Sequence, residues 1–257
     1  MQDLKVTLIQ VDQVWEDKEA NFKKYESLLS QLNETDLVIL PEMFHTGFSM
    51  SVGVLAENWE NSVGFDFLKK WAKTLNAAFY TSLIIRENEK YYNRGVFVYP
   101  NGTVSHYDKR KSFGLGGEDK FYTAGNKEVI VEWRGWKINL QICYDLRFPE
   151  LVRNHIENNS AAYDLMLYVA NWPEKRIAHW DVLIQARAIE NQSYVIGVNR
   201  VGIDGNQLVY NGGSLVVNPL GEKLLNFTNH QENMKQIILR MIDLKSVRTQ
   251  LPFLKDR

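Results

Sequence analysis

One cysteine stands in 257 residues, so no internal disulfide can close and the fold owes nothing to oxidation. A reducing, cytoplasmic setting is the expectation that follows. No stretch approaches the ~18 apolar residues of a membrane helix, so no membrane association is expected. The apolar run at 6–11 is too short for a signal core and has no small-residue cleavage site. Charge of one sign is not in excess. Lys plus Arg number 30 against 31 Asp plus Glu, whereas a nucleic-acid partner usually goes with a basic surplus. The six prolines and 16 glycines are scattered, and no linker or low-complexity segment breaks the chain. One domain over 1–257 is expected. His45, His106, His155, His179 and His230 lack ligand-like spacing, so neither metal nor cofactor is expected.

What is present is ordinary globular composition, 45% hydrophobic and 24% charged, in a chain long enough to bury most of its unfolded surface. Apolar periodicity switches repeatedly between strand and helix. Residues 17–32 place Phe22, Tyr25, Leu28, Leu29 and Leu32 on one helical face. Residues 62–75 do the same with Phe65, Leu68, Trp71 and Leu75, with Asn61 or Ser62 as the cap. Strands are expected over 6–11, 37–40, 79–86, 91–99, 103–108, 129–133 and 137–143, with a hairpin turn at Asn101-Gly102. Residues 5–12 resemble 137–143, and each is followed by a loop, a helical stretch and an Asp-Leu apolar strand, at Asp36 and at Asp164. Either the unit is repeated or two unrelated strand–helix–strand units share a period. Both imply an α/β or α+β layered sandwich. Glu42 lies past one apolar strand and Cys143 ends another. Ligand sites in such folds gather at the carboxyl ends of strands, so the two are expected to meet in one crevice from equivalent strand ends.

Cys143 opens a polar turn that runs through Tyr144, Asp145 and Arg147 to Glu150. A lone thiol is compatible with a small buried hydrophobe. The other reading is a nucleophile, which then needs an adjacent base or cation because a thiol is little ionised near neutrality. Glu42, flanked by Pro41, Met43 and Phe44, is poorly solvated, which suits either a proton acceptor or one end of a salt bridge. Lys109, after Tyr107 and Asp108, is either a solvated basic turn or the cation that receives the negative oxygen of a tetrahedral intermediate. A preorganised donor of that kind is commonly worth ~10²–10³ in rate.

Together, Pro41-Glu42, Tyr107-Asp108-Lys109 and the run from Cys143 to Glu150 resemble the nitrilase superfamily of carbon–nitrogen hydrolases. So do Ala170-Asn171-Trp172-Pro173 and Ala186-Arg187-Ala188-Ile189-Glu190-Asn191, and the resemblance covers nearly the whole chain. It implies a catalytic Glu42–Lys109–Cys143 triad. It also implies a second glutamate beside the lysine, at Glu118 with Asp119 as the competitor. In the implied mechanism Glu42 takes the thiol proton, and Lys109 and the backbone N–H of Tyr144 receive the oxyanion. The implied fold is a four-layer α-β-β-α sandwich that pairs as a homodimer. The segment 248–257 would then either cross to a partner or fray.

Cys-Tyr-Asp in place of Cys-Trp-Glu, with the runs 41–50 and 171–180, is similar to the ω-amidase branch. Its members hydrolyse the terminal amide of small 2-oxo acids such as 2-oxoglutaramate. The far carboxylate of such a substrate needs a cation. Arg147 and Arg176 are the candidates, although Arg147 could instead pair with Glu150 or Asp145. Phe44, Phe48 and Trp172 are candidate pocket walls. A carbamoylase or other small-amide hydrolase with the same triad, and a non-catalytic binding protein on the same scaffold, are the alternatives.

Overall fold

A computed structural model of the chain describes residues 2–257. Its first half lays down β1 (Leu4–Gln10), α1 (Lys18–Leu29), β2 (Leu37–Ile39), α2 (Val52–Leu55), β3 (Glu57–Asn58), α3 (Val63–Leu75), β4 (Ala78–Glu87), β5 (Lys90–Val98) and β6 (Val104–Asp108). The second half begins with β7 (Ile130–Trp133), β8 (Trp136–Ile142), β9 (Ile156–Glu157), β10 (Ser160–Ala161), β11 (Leu165–Ala170), α4 (Ile177–Asn191) and β12 (Tyr194–Asn199). It ends with β13 (Val201–Ile203), β14 (Val209–Asn211), β15 (Leu215–Val217), β16 (Lys223–Asn226), β17 (Asn233–Leu239) and α5 (Met241–Gln250).

The helices start where their caps direct. The Asp17 side chain accepts from the Ala20 N–H at 2.9 Å and Ser62 accepts from the Phe65 N–H at 3.0 Å, each satisfying a donor that the first turn leaves free. Asn76 ends α3 in the left-handed conformation, a common stop. Gly102, at φ +85°, makes the turn between β5 and β6 as its neighbour Asn101 predicts.

The strands form two sheets of the same plan. One runs β17-β1-β2-β4-β5-β6, with β3 beside β4; the other runs β7-β8-β11-β12-β15-β16. In each, three central strands are parallel and the flanking ones antiparallel. The sequence likeness between 5–12 and 137–143 is thus matched in space. The Lys5 N–H donates to Asp36 Oδ2 at 2.8 Å, and the Lys137 N–H to Asp164 Oδ2 at 3.2 Å. Asp36 and Asp164 return their own N–H to the Lys5 and Lys137 carbonyls, both at 2.8 Å. Under this correspondence the strand before Cys143 matches β1, whereas the strand before Glu42 matches β11. Glu42 and Cys143 therefore do not come from equivalent strand ends; they lie one strand apart in the repeated plan.

The sheets pack face to face. Leu4, Val6 and Leu8 of β1 share a core with Ile138, Leu140 and Ile142 of β8 and with Met166 and Tyr168 of β11. The alternate residues, Ile9, Val38 and Phe79, face outward and are covered by Tyr25 and Leu29 of α1 and by Phe65, Leu68 and Trp71 of α3. Trp180, Ile184 and Ala188 of α4 close the far side. Each fully buried apolar side chain of this kind contributes about 1.5–3 kcal/mol. The result is a four-layer α-β-β-α sandwich, as expected. Strands buried on both faces read as continuous apolar runs, and β11 is buried at every position. The segment after Arg248 is not a frayed tail. Arg248 Nη1 donates to Asp164 Oδ1 at 2.7 Å, Leu254 is buried, and Arg257 Nη1 donates to the Asn154 carbonyl at 2.9 Å, so the segment docks on its own chain. Among the described residues no helix is long and apolar enough to cross a membrane.

Candidate active site

The loops beyond the strand ends build one cleft, with an empty volume of about 640 Å³. Glu42 and Lys109 enter it from the first sheet, Cys143 and Asn171 from the second. Both turn-starting positions are bent: Met43, next to Glu42, has φ +47°, and Cys143 itself has φ +43°. A non-glycine residue in the left-handed region costs free energy and persists only when its surroundings hold it. Asp145 supplies the hold at Cys143. Its buried carboxylate accepts from the Ile142 N–H at 3.1 Å, the Lys111 N–H at 2.9 Å and the Tyr107 hydroxyl at 2.8 Å. Burial pushes the Asp145 carboxyl up to about 6, against these bonds. Asn171 holds Glu42 in the same way: its N–H donates to Glu42 Oε2 at 2.8 Å and its Nδ2 to the Glu42 carbonyl at 2.7 Å.

At the centre lies a buried cation between two carboxylates. Lys109 Nζ donates to Glu118 Oε1 and Oε2 at 3.0 and 2.9 Å, and to Glu42 Oε1 at 3.1 Å. Burial works against its charge, but the charges of Glu118 and Glu42 outweigh that and hold its pKa above the ordinary lysine value. Asn93 Nδ2 donates to both acids, at 2.7 Å to Glu42 and 3.0 Å to Glu118. The Phe113 N–H adds a 2.6 Å bond to Glu118 Oε2. Cys143 lies at the same point. Burial, then the Glu42 carboxylate, push its thiol well above the ordinary value, while Lys109 pulls it down. The resting sulfur is a thiol in the same cleft as the Glu42 carboxylate.

Apart from Phe44, the candidate site residues taken from sequence touch this cleft or its acid–lysine cluster. Phe48, Tyr144, Arg147, Trp172 and Arg176 line the cleft, and Glu118, not the exposed Asp119, meets Lys109. Phe44 is the correction. It is fully buried in the outer helix layer, stacked on His45 at 4.7 Å between ring centres, and walls nothing. Arg147 pairs with neither Glu150 nor Asp145. Its Nη2 meets His179 Nδ1 at 3.1 Å, and its guanidinium lies 4.8 Å over the Trp172 ring. The Arg176 guanidinium lies 5.1 Å over Phe113. Among the described residues neither arginine faces a carboxylate within ion-pair distance. The sequence reading missed Asn93, Phe113, Met50 and the hairpin residues Asp204, Leu208 and Tyr210. Asn171 and Met50 stood in runs already singled out.

A model of the carbon–nitrogen hydrolase family matches residues 5–250. An omega-amidase, YafV, of Yersinia enterocolitica is 42% identical over 258 residues, covering 100% of this chain and 97% of its own. A 2-oxoglutaramate amidase of Paenarthrobacter nicotinovorans is 34% identical over 252 residues, covering 93% of this chain and 84% of its own. The crystal structure of XC1258 from Xanthomonas campestris, a CN-hydrolase superfamily protein with an arsenic adduct in its active site, superimposes with a TM-score of 0.97. It is 39% identical, over 100% of this chain and 98% of that one.

Proposed function

The chain belongs to the carbon–nitrogen hydrolase family, and from that premise we propose that it hydrolyses the terminal amide of a small 2-oxo acid such as 2-oxoglutaramate to carboxylate and ammonia. One observation carries the reading: a thiol, a carboxylate and an ammonium converge in a cleft that also holds two arginines without carboxylate partners.

Glu42 removes the Cys143 proton as the sulfur attacks the amide carbon, since the resting group is a thiol. The tetrahedral oxygen meets Lys109 Nζ and the Tyr144 N–H, the second of the 3₁₀ turn Cys143–Arg147, which has no partner within that turn. Glu42 returns the proton to the departing ammonia, then takes one from the water that cleaves the thioester. Glu118 holds the lysine over the reacting carbon. Phe48, Trp172 and Phe113 flank the substrate chain, and Arg147 or Arg176 takes its far carboxylate in a two-pronged grip.

Ammonia release from 2-oxoglutaramate is expected to far exceed that from acetonitrile or carbamoyl-amino acids. A reversed ranking sinks the assignment. Arg147→Ala or Arg176→Ala is expected to raise KM for 2-oxoglutaramate by roughly 10–100-fold, the loss of a hydrogen bond to a charged group. A neutral amide of the same length should be cleaved as before.

A cytoplasmic location and pairing of two chains belong to the same reading. Supporting the pairing, Val182 and Ile189 on the outer side of α4 are more than half exposed. Light scattering is expected to give the mass of two chains; a clean monomer refutes the pairing.

A further inference from the structure

We propose that Asn93 is a positioning residue that keeps Glu42 and Glu118 charged together on one lysine. The inference rests on the reading of Glu42 as the base for Cys143. It starts from charge: two buried carboxylates share a single ammonium, so the cluster carries one negative charge more than it can neutralise. Like charges this close ordinarily drive a proton onto one member, and a protonated Glu42 could not take one from the thiol.

Asn93 relieves the excess without adding charge. The β5–β6 ladder places it opposite Lys109, whose N–H donates to the Asn93 carbonyl at 3.0 Å, so side chain and ammonium approach the acids together. Its one amide nitrogen serves the Oε1 atoms of both acids, which are also the atoms Lys109 touches. The other end of the amide has no partner: Asn93 Oδ1 is buried and accepts nothing. An amide turned the other way would set that oxygen against two carboxylates, so the orientation is fixed by the acids. A buried acceptor left unsatisfied is a cost, and it is borne at the neutral side chain that bonds both glutamates.

The test is the pH dependence of Cys143 alkylation by iodoacetamide, which needs no substrate, measured for wild type, Asn93→Leu, Asn93→Asp and Glu42→Gln. Asn93→Leu removes both N–H donors at similar volume. Its acid limb is expected to move up by about one pH unit, which is about a tenfold slower reaction at a pH on that limb. Asn93→Asp adds an acceptor where donors are needed and should move it further. If Asn93→Leu does not fold, the Asn93→Asp profile decides. An acid limb unchanged in the folded Asn93 variants, with Glu42→Gln shifted, overturns this role and leaves the Glu42 reading standing. A Glu42→Gln profile identical to wild type overturns both.

Discussion

Cys143→Ala is expected to fold normally and to lose amide hydrolysis by roughly 10⁴-fold or more, the scale on which removing a nucleophile acts in comparable triads. The side chain is small, lies at the edge of a cleft and makes only a long contact, 3.9 Å to the Asn171 carbonyl, so its loss leaves no sizeable cavity. Glu42→Gln should do nearly as much damage to turnover by a different route. Every neighbour of the Glu42 oxygens is a donor: Asn93 and Lys109 on one side, the Asn171 N–H on the other. An amide there must turn its NH₂ toward a donor, at a cost of about 1–3 kcal/mol, which lowers the melting temperature by several degrees. Because base and nucleophile act as a unit, the double variant is expected to be little worse than either single one. Ammonia release measured beside thermal unfolding checks this. Near-wild-type turnover in folded Cys143→Ala would end the amidase reading.

Lys109→Met is expected to abolish turnover and also to destabilise the fold by about 3–5 kcal/mol, because it strands two buried carboxylates without their cation. The sign of the pH effect follows. In the folded variant those acids bind protons that the unfolded chain releases, so stability is lost as pH rises through the range where they ionise. The deficit should be largest near neutrality and shrink toward pH 5, as read by urea midpoints at the two pH values. Adding Glu118→Gln removes one of the stranded charges. It should restore part of the stability and none of the activity, which separates the structural burden of the cluster from its chemistry. An unchanged midpoint at neutral pH would mean that the acids find compensation elsewhere.

Features that are local in the chain were legible in the sequence. The cap at Ser62, the apolar face from Phe65 to Leu75 and the Asn101-Gly102 turn depend on neighbours within a few residues, and each is found where expected. Glu42, Lys109 and Cys143 were legible as candidates because each sits in a short motif directly after a strand, and the resemblance carried by those motifs pointed to Glu118. Phe44 was misplaced for the converse reason. It stands two residues from Glu42, but the bend at Met43 turns it away from the cleft and into the helix layer. Asn93 gave no signal, since its role comes from a ladder that sets it beside Lys109 and from acids far off in the chain. The hairpin β13–β14, whose loop brings Asp204 and Leu208 to the cleft, was invisible because its strands are three residues each and show no useful period. The duplicated plan was half visible. The likeness of 5–12 to 137–143 could be read, but which strand ends correspond requires the pairing.

That duplicated plan has a consequence for how the molecule works as a machine. The acids, the lysine and Asn93 belong to one half, and the sulfur, Asn171 and both arginines to the other. Catalysis is therefore a reporter of the seam between the halves. A species with both halves individually formed but slid or hinged apart would keep its circular-dichroism spectrum and be silent in an ammonia assay. Neither half, expressed by itself, holds a complete set of reacting groups.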